Sequence, residues 1–148
     1  MKSQLIAAEL FNSKTYNANE LGELVTNQLA AHQRDTFFSL AARDYMKAVG
    51  TYLNRGDDRP KSTLANAVAM ALSTDFNAVL GLLLSDTYAR PYVYVLKKAL
   101  DQGATGQVGM VMIQLQNTFG HLAPGPDANA QIQRLIEKEV HQPIGRVE

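Results

Sequence analysis

The chain of 148 residues has no cysteine and no tryptophan, and its 14 basic and 14 acidic residues leave no net charge. The absence of cysteine excludes a disulfide scaffold, thiolate zinc sites, iron–sulfur ligation and a cysteine nucleophile. The balanced charge argues against a strongly cationic nucleic-acid binder and against an acidic nucleic-acid mimic. Bulk composition therefore narrows the function classes without choosing one.

Hydrophobic residues make up 46% of the sequence, and alanine and leucine together account for 37 positions. A chain of this length is expected to bury roughly two thirds of its unfolded surface, which is enough for a stable core without disulfide bonds or a structural metal ion. Because alanine and leucine favour helices, the composition predicts an all-α protein. We expect residues 1–148 to form one compact domain of about six to eight short helices around a central apolar helix pair.

The pattern over residues 38–53 is the clearest amphipathic pattern in the chain, because its apolar side chains recur every three or four positions. Asn54 is suited to end this helix. An earlier helix is predicted to begin at Asn19, with Glu20 and Glu23 in its first turn, where carboxylates suit the positive end of the helix dipole.

The central pair is predicted over residues 63–72 and 75–84, with Ser62 as the cap of the first helix and Ser73 or Thr74 as the cap of the second. Both helices are apolar on nearly every side, and only six charged residues occur between positions 62 and 119. This middle part of the sequence is therefore expected to form the core, with the outer segments around it.

The apolar run over residues 79–84 contains four leucines and a valine. We expect one small core to be unable to hide all of these side chains, so that some remain at the surface. A second copy of the chain would cover them. The sequence therefore predicts a homo-oligomer.

Residues 91–95 fit two kinds of secondary structure. Pro91 and the aromatic and β-branched residues after it suit a strand, but helical spacing continues to Leu100 and the chain offers no convincing partner strand. We therefore predict a helix over residues 88–102, with Pro91 in its first turn and Gly103 at its end.

Glycines at positions 103, 106 and 109 stand at the start of a predicted helix over residues 105–119, with Thr105 as its cap. Amides at a helix start can bind a phosphate, but no strand precedes this segment and no Lys-Ser or Lys-Thr pair follows it. We interpret Gly103 as a helix end, and Gly106 and Gly109 as positions where the helix packs closely on a neighbour.

The C-terminal part begins with a connection rich in proline and glycine at residues 123–127, and Asp127 is predicted to cap a last amphipathic helix. Residues 143–148 form a short polar tail after it. Near the N-terminus, the first 11 residues have one lysine and contain Glu9 in their apolar stretch, which is not the pattern of a signal peptide. A cytoplasmic protein is expected, and no cofactor is indicated.

Tyrosine and basic residues gather in the predicted helix over residues 88–102. These residue types combine large contact area with directional hydrogen bonds and are frequent at binding hot spots. If the helix begins by Tyr88, residues 88 and 92 share one face. The competing hypothesis is that Tyr92 and Val95 face the core while Tyr88 and Tyr94 cover its edge. The first hypothesis predicts a protein-binding surface formed by Tyr88, Arg90, Tyr92 and Tyr94, with Lys97 and Lys98 on its rim.

A second basic group, Arg55, Arg59 and Lys61, follows the amphipathic helix over residues 38–53. Basic residues of this kind can contact phosphates, although Asp57 and Asp58 neutralise the group locally. A nucleic-acid-associated helical subunit is therefore the alternative function.

Arg134 and His141 are seven residues apart and share one face of the predicted last helix. This pair resembles the R-x(4–6)-H signature of HEPN-type ribonucleases, which are small all-α proteins. The resemblance covers eight residues, and Leu135 occupies a position where that family usually has a polar residue. It implies ribonuclease activity at a dimeric site, as a second alternative function. The other histidines, His32 and His121, stand on different elements, and none of the three has the spacing of a zinc motif.

No nucleophile or cofactor motif is present to support catalysis, since the sequence has neither a G-x-S-x-G segment nor a dinucleotide fingerprint. The low charge of the middle segment favours contacts with other proteins. The sequence therefore predicts a noncatalytic protein-interaction protein, such as an assembly subunit, an adaptor or an inhibitor.

Overall fold

A computed structural model describes residues 14–27, 36–55, 59–73, 75–120 and 125–140. Helices dominate these residues, and their only β contact is an isolated antiparallel bridge between Thr15 and Thr63. The all-α prediction is confirmed. The described part of the chain contains seven helices: α1 (Ala18–Asn27), α2 (Phe37–Leu53), α3 (Leu64–Ala71), α4 (Phe76–Ser85), α5 (Arg90–Asp101), α6 (Thr105–Phe119) and α7 (Gly125–Val140).

Side-chain caps position the first two helices. Asn17 and Glu20 form a reciprocal capping pair at the start of α1, because each side chain accepts a hydrogen bond from the backbone N–H of the other, at 2.8 and 2.9 Å. At the start of α2, the Thr36 hydroxyl accepts a hydrogen bond from the Ser39 N–H at 3.1 Å.

The cap of α3 is Thr63, whose hydroxyl accepts a hydrogen bond from the Asn66 N–H at 3.2 Å. The prediction of Ser62 as this cap is wrong by one residue. The Ser62 hydroxyl instead donates to the Tyr16 carbonyl oxygen at 2.7 Å, and the Tyr16 N–H donates to the Ser62 carbonyl oxygen at 2.8 Å. Two hydrogen bonds therefore tie the segment before α1 to the start of α3.

The cap of α4 is Asp75, whose carboxylate accepts a hydrogen bond from the Ala78 N–H at 3.3 Å. The sequence instead predicted Ser73 or Thr74. The Ser73 hydroxyl accepts a hydrogen bond from the N–H of Asp75 itself, at 3.1 Å, so it lies before the helix and does not cap it. Thr74 lies outside the described residues. Serine, threonine and aspartate share the same capping chemistry, so a sequence in which they are adjacent does not distinguish them.

The predicted caps of the last two helices lie inside those helices. Thr105 is the first residue of α6, and Ala104 before it has no side-chain cap. Asp127 lies in the first turn of α7, which begins at Gly125. The carboxylate of Asp127 thus remains near the positive end of the helix dipole.

The α1 and α2 helices approach closely at a glycine. A Cβ atom added to Gly50 would lie 3.1 Å from the Ala18 Cα atom and 2.8 Å from the Leu21 Cδ1 atom. Because the Ala18 backbone cannot move aside as the flexible Leu21 side chain can, a side chain at position 50 would push the two helices apart.

The core contains the predicted central pair. All eight residues of α3 are buried, and this helix packs against α2 and α7, while α4 packs against α5 and α7. In α4 the side chains of Val79, Leu80, Leu82 and Leu83 are buried and Leu84 is half-buried against the core, so little of the apolar run over residues 79–84 is left for a second copy to cover. The homo-oligomer stays a prediction, without this support.

Within the described ranges, no single helix is long and apolar enough to cross a membrane. The α3 and α4 helices reach that length and apolarity only as a pair, and the chain bends by 114° between them.

Candidate functional site

The helix α5 positions most of the residues that the sequence predicted as a binding surface. It begins at Arg90 with Pro91 in its first turn and ends before Gly103, whose φ of 78° is in the left-handed region. The helix prediction for residues 91–95 is therefore correct. Because α5 starts after Tyr88, the condition that residues 88 and 92 share one helical face is not met.

The predicted surface residues within α5 occupy different sides of the helix. Tyr94 and Lys98 are exposed, whereas Tyr92 is half-buried against the core, with its ring centroid 6.0 Å from the Lys47 Nζ atom. Lys97 forms an ion pair with Asp101 one helical turn later, at 2.5 Å. The structure therefore separates residues that the sequence grouped together.

Tyr88 and Arg90 lie at the N-terminal end of α5. The Arg90 Nε atom donates a hydrogen bond to the Leu84 carbonyl oxygen at 2.8 Å and so ties α5 to the end of α4. Tyr88 is exposed, and the guanidinium carbon of Arg55 lies 3.9 Å from the centre of its ring. This distance is typical of a cation–π contact.

Asp86 connects the two basic groups that the sequence treated separately. Its carboxylate is buried and accepts hydrogen bonds from the N–H groups of Tyr88 at 2.9 Å and Ala89 at 3.0 Å. These two hydrogen bonds hold the turn before α5 in place. The same carboxylate lies 3.0 Å from the Arg59 Nη1 atom and 3.5 Å from the Arg55 Nε atom. We call Arg55, Arg59, Asp86 and Tyr88 the Asp86 cluster.

The charge of Asp86 is stabilised by this cluster. Burial raises the pKa of Asp86, but the hydrogen bond from Arg59, the N–H groups of Ala89 and Tyr88, and the positive charge of Arg59 lower it. The pKa of the carboxyl group lies below its ordinary value as a result. Asp86 is therefore a buried anion with its positive partners beside it.

The contacts of Arg59 disfavour its predicted role in binding nucleic acid. Its Nη1 atom also donates to the Tyr52 carbonyl oxygen at 2.8 Å, and its guanidinium carbon lies 3.7 Å from the centre of the Tyr52 ring. Arg55 is shared between Asp86 and Tyr88, while the Lys61 side chain is exposed. Nucleic-acid contact at these three residues stays a prediction.

A groove lies along the contact between the start of α2 and α5, apolar in one part and mixed in the other, where Lys98, Gln102 and Gln107 line it. Its two adjoining parts have volumes of about 260 and 320 Å³ and share two exposed apolar residues, Phe37 and Val95. We call it the α5 groove. It is lined by Phe37, Leu40, Ala41, Arg43, Asp44, Tyr92, Val95, Leu96, Lys98, Ala99, Gln102 and Gln107.

Sequence reasoning missed Phe37 and Val95 as surface residues. The competing hypothesis places Val95 on the buried side of α5, but Val95 is 51% exposed, and the buried stripe consists of Val93, Leu96 and Ala99. A stripe centred on these three residues leaves Val95 outside the core. Both stripes fit a helix with Pro91 in its first turn, so the spacing alone does not separate them.

The outer side of α6 is a second open surface. A Cβ atom added to Gly106 or Gly109 would meet nothing within 4 Å, so the interpretation of these glycines as close-packing positions is wrong. Met110 and Ile113 lie on the same side and are exposed. The helix packs instead through Val108, Val111, Leu115, Thr118 and Phe119.

The remaining candidate residues do not form a site in the described part of the chain. Arg134 is exposed on α7, whereas His141 and the two other histidines lie outside the described residues. Within the ranges described above, no three histidine, aspartate or glutamate side chains are close enough to hold a metal ion. A groove of about 310 Å³ lies beside the contact between α3 and α7, and it is lined by Val68, Ala69, Leu72, Ser73, Asn129, Ile132 and Gln133.

A comparison with protein-family models finds no match to the sequence. Comparisons with curated proteins and with solved structures find no significant similarity.

Proposed function

We propose that this chain is a noncatalytic protein-interaction protein that binds its partner through the α5 groove. The observation that carries the proposal is the pair of apolar side chains at the groove, Phe37 from α2 and Val95 from α5, which are 40% and 51% exposed. A large exposed apolar side chain on each side of a groove offers a place where apolar side chains of a partner would be removed from water.

The shape of the groove favours an amphipathic segment of the partner. The groove runs between two helices, and Leu40, Ala41 and Leu96 line it with apolar side chains. An amphipathic helix binds such a groove by inserting apolar residues that are three or four positions apart. Tyr92 supplies a half-buried aromatic ring at the same place, which adds contact area at little cost in side-chain entropy.

The charges at the groove favour an acidic partner. Arg43 forms an ion pair with the neighbouring Asp44 at 2.9 Å, whereas Lys98 has no ion-pair partner among the residues that the structure describes. A carboxylate on the partner would pair with the Lys98 ammonium group at the rim and would increase specificity and the rate of association. The role as an assembly subunit, adaptor or inhibitor and the cytoplasmic location belong to this proposal.

Selection of peptides tests the proposal. A display library of random twelve-residue peptides is selected on the folded protein, and individual peptides are then measured against Val95→Glu. We expect enriched peptides to combine apolar residues at helical spacing with acidic residues, and Val95→Glu to weaken their binding by about tenfold or more, which corresponds to about 1.4 kcal/mol.

The matched control is Gln131→Glu, which adds the same charge at an exposed position on α7. This variant should bind the peptides like the original chain. Enriched peptides that bind Val95→Glu and Gln131→Glu equally well would place binding elsewhere and overturn the α5 groove. Failure to enrich any peptide would overturn the proposed partner class.

A further inference from the structure

The α6 helix contains no ionisable side chain in its 15 residues. The α3 and α4 helices also lack ionisable side chains, but they form the core pair, whereas α2, α5 and α7 each carry both acidic and basic residues. A helix face in water usually carries charges, which keep it soluble and separate from other molecules. The outer side of α6 consists instead of glycine, apolar and neutral amide residues: Gly106, Gly109, Met110, Ile113, Gln116 and Asn117.

Four of these residues form a straight strip along the helix. Gly106, Met110, Ile113 and Asn117 are separated by four, three and four residues, which is the spacing of a seam between two helices. The strip is about 16 Å long at 1.5 Å per residue. Met110 and Ile113 at its centre are 45% and 52% exposed. We call these four residues the α6 strip.

We propose that the α6 strip pairs with the same strip of a second copy of this chain, in antiparallel orientation about a two-fold axis. The axis passes between Met110 and Ile113, so that Met110 of each copy lies opposite Ile113 of the other. Gly106 then lies opposite Asn117. The open space above Gly106, where a Cβ atom would meet nothing within 4 Å, receives the longer Asn117 side chain.

The absence of charge is the reason for assigning a second copy to this surface. A two-fold axis places a surface against itself, so a charged residue near the axis would face its own kind. Neutral residues throughout the α6 strip avoid this repulsion, and the apolar pair at its centre supplies the area removed from water. An acidic or basic partner would find no complementary charge there. The pairing does not depend on the α5 groove or on the function proposed for it.

Sedimentation velocity from micromolar to near-millimolar concentration tests the pairing. We expect the original chain to show a monomer–dimer equilibrium and Ile113→Glu to remain monomeric, because the introduced carboxylate would be buried against Met110 of the second copy. Gly106→Leu provides an independent variant. Its side chain extends into open space in the monomer, so the fold should be unchanged while the two strips are held apart.

Gln131→Glu on α7 is the control for added charge and should dimerise like the original chain. Circular dichroism and thermal unfolding confirm that each variant is folded. A chain that stays monomeric over the whole concentration range overturns the proposal. A dimer that persists in both Ile113→Glu and Gly106→Leu also overturns it.

Cross-linking determines the orientation, because the chain has no cysteine of its own. Met110→Cys and Ile113→Cys are prepared separately, and disulfide formation is compared between each variant alone and an equal mixture. The antiparallel pairing predicts that the mixture gives the most cross-linked dimer, through a bond between positions 110 and 113. Stronger cross-linking of either variant alone would overturn the proposed orientation.

Discussion

The two ends of α5 differ in what the residues around them contact. At the N-terminal end, Arg55 and Tyr88 stack on each other, and Asp86 pairs with the arginines inside the chain. Toward the C-terminal end, Val95 and Lys98 line an open groove and have no comparable partner among the described residues. A tyrosine beside an arginine therefore does not identify a binding surface. Exposed side chains that have no partner within the fold identify a binding surface better.

We call the N-terminal end of α5 the closed end, because the side chains there contact one another, and the C-terminal end beside the groove the open end. The largest expected effect is at the closed end. Asp86→Ala removes the acceptor for Arg59 and for two N–H groups of the turn, and it leaves Arg59, whose side chain is only 23% exposed, without its carboxylate. We expect the free energy of unfolding, measured in urea, to fall by about 2–4 kcal/mol.

Asp101→Ala is the control for Asp86→Ala, because it removes a carboxylate from an exposed ion pair within α5 itself. Exposed pairs contribute little, so a loss of about 0.5 kcal/mol or less is expected. Equal losses in the two variants would contradict the distinction between the closed and open ends of the helix.

A smaller effect is expected in acid. The pKa of Asp86 is lowered in the folded chain, so its stabilising contribution is present above the ordinary value of 3.8 and is lost as the pH falls through that value toward the folded pKa. The loss is smaller than in Asp86→Ala because a protonated carboxyl group can still accept hydrogen bonds.

Urea unfolding of the original chain and of Asp86→Asn, measured between pH 6 and pH 3, isolates this contribution. The difference in unfolding free energy between the two proteins should be constant above about pH 5 and should shrink below it. A difference that is constant over the whole range would show that the charge of Asp86 does not stabilise the fold.

The smallest effect is expected on the open side of α6, and its sign is opposite. Gly106→Ala should raise the free energy of unfolding by about 0.5–1 kcal/mol, because alanine favours a helix and its Cβ atom would meet nothing within 4 Å. Chemical unfolding at low protein concentration keeps this measurement separate from any self-association.

Gly103→Ala is the matched control three residues earlier. Its site is equally open, but its φ of 78° disfavours alanine, so a loss of about 1–2 kcal/mol is expected. A loss of stability in Gly106→Ala would show that the outer side of α6 is packed against the chain itself.

Much of the fold could be predicted from the sequence because its evidence is local. Amphipathic spacing gave α2 within one residue, and the helical spacing after Pro91 correctly placed α5. The caps were less accurate. Ser62 and Thr63 have the same capping chemistry, and the choice between them depends on Tyr16, which lies 46 residues before Ser62.

The candidate site was less predictable because it depends on contacts between distant segments. Arg59 and Asp86 are 27 residues apart, and no local pattern shows that they form an ion pair. Phe37 and Val95 are also far apart in sequence, and only the packing of α2 against α5 places them at one groove. The sequence identified the residue types of a contact surface but could not show which of them the fold itself uses.

The tie between Tyr16 and Ser62 gives this helical fold a distinctly non-local step in its assembly. Joining positions 46 residues apart closes a long loop, and the entropy lost in closure grows with the logarithm of loop length. Packing of α1 on α2 at Gly50 joins two parts of the same loop, so a chain in which these helices are already packed loses less entropy when the tie forms. A tie between positions this far apart raises the contact order of the fold, and proteins of higher contact order fold more slowly.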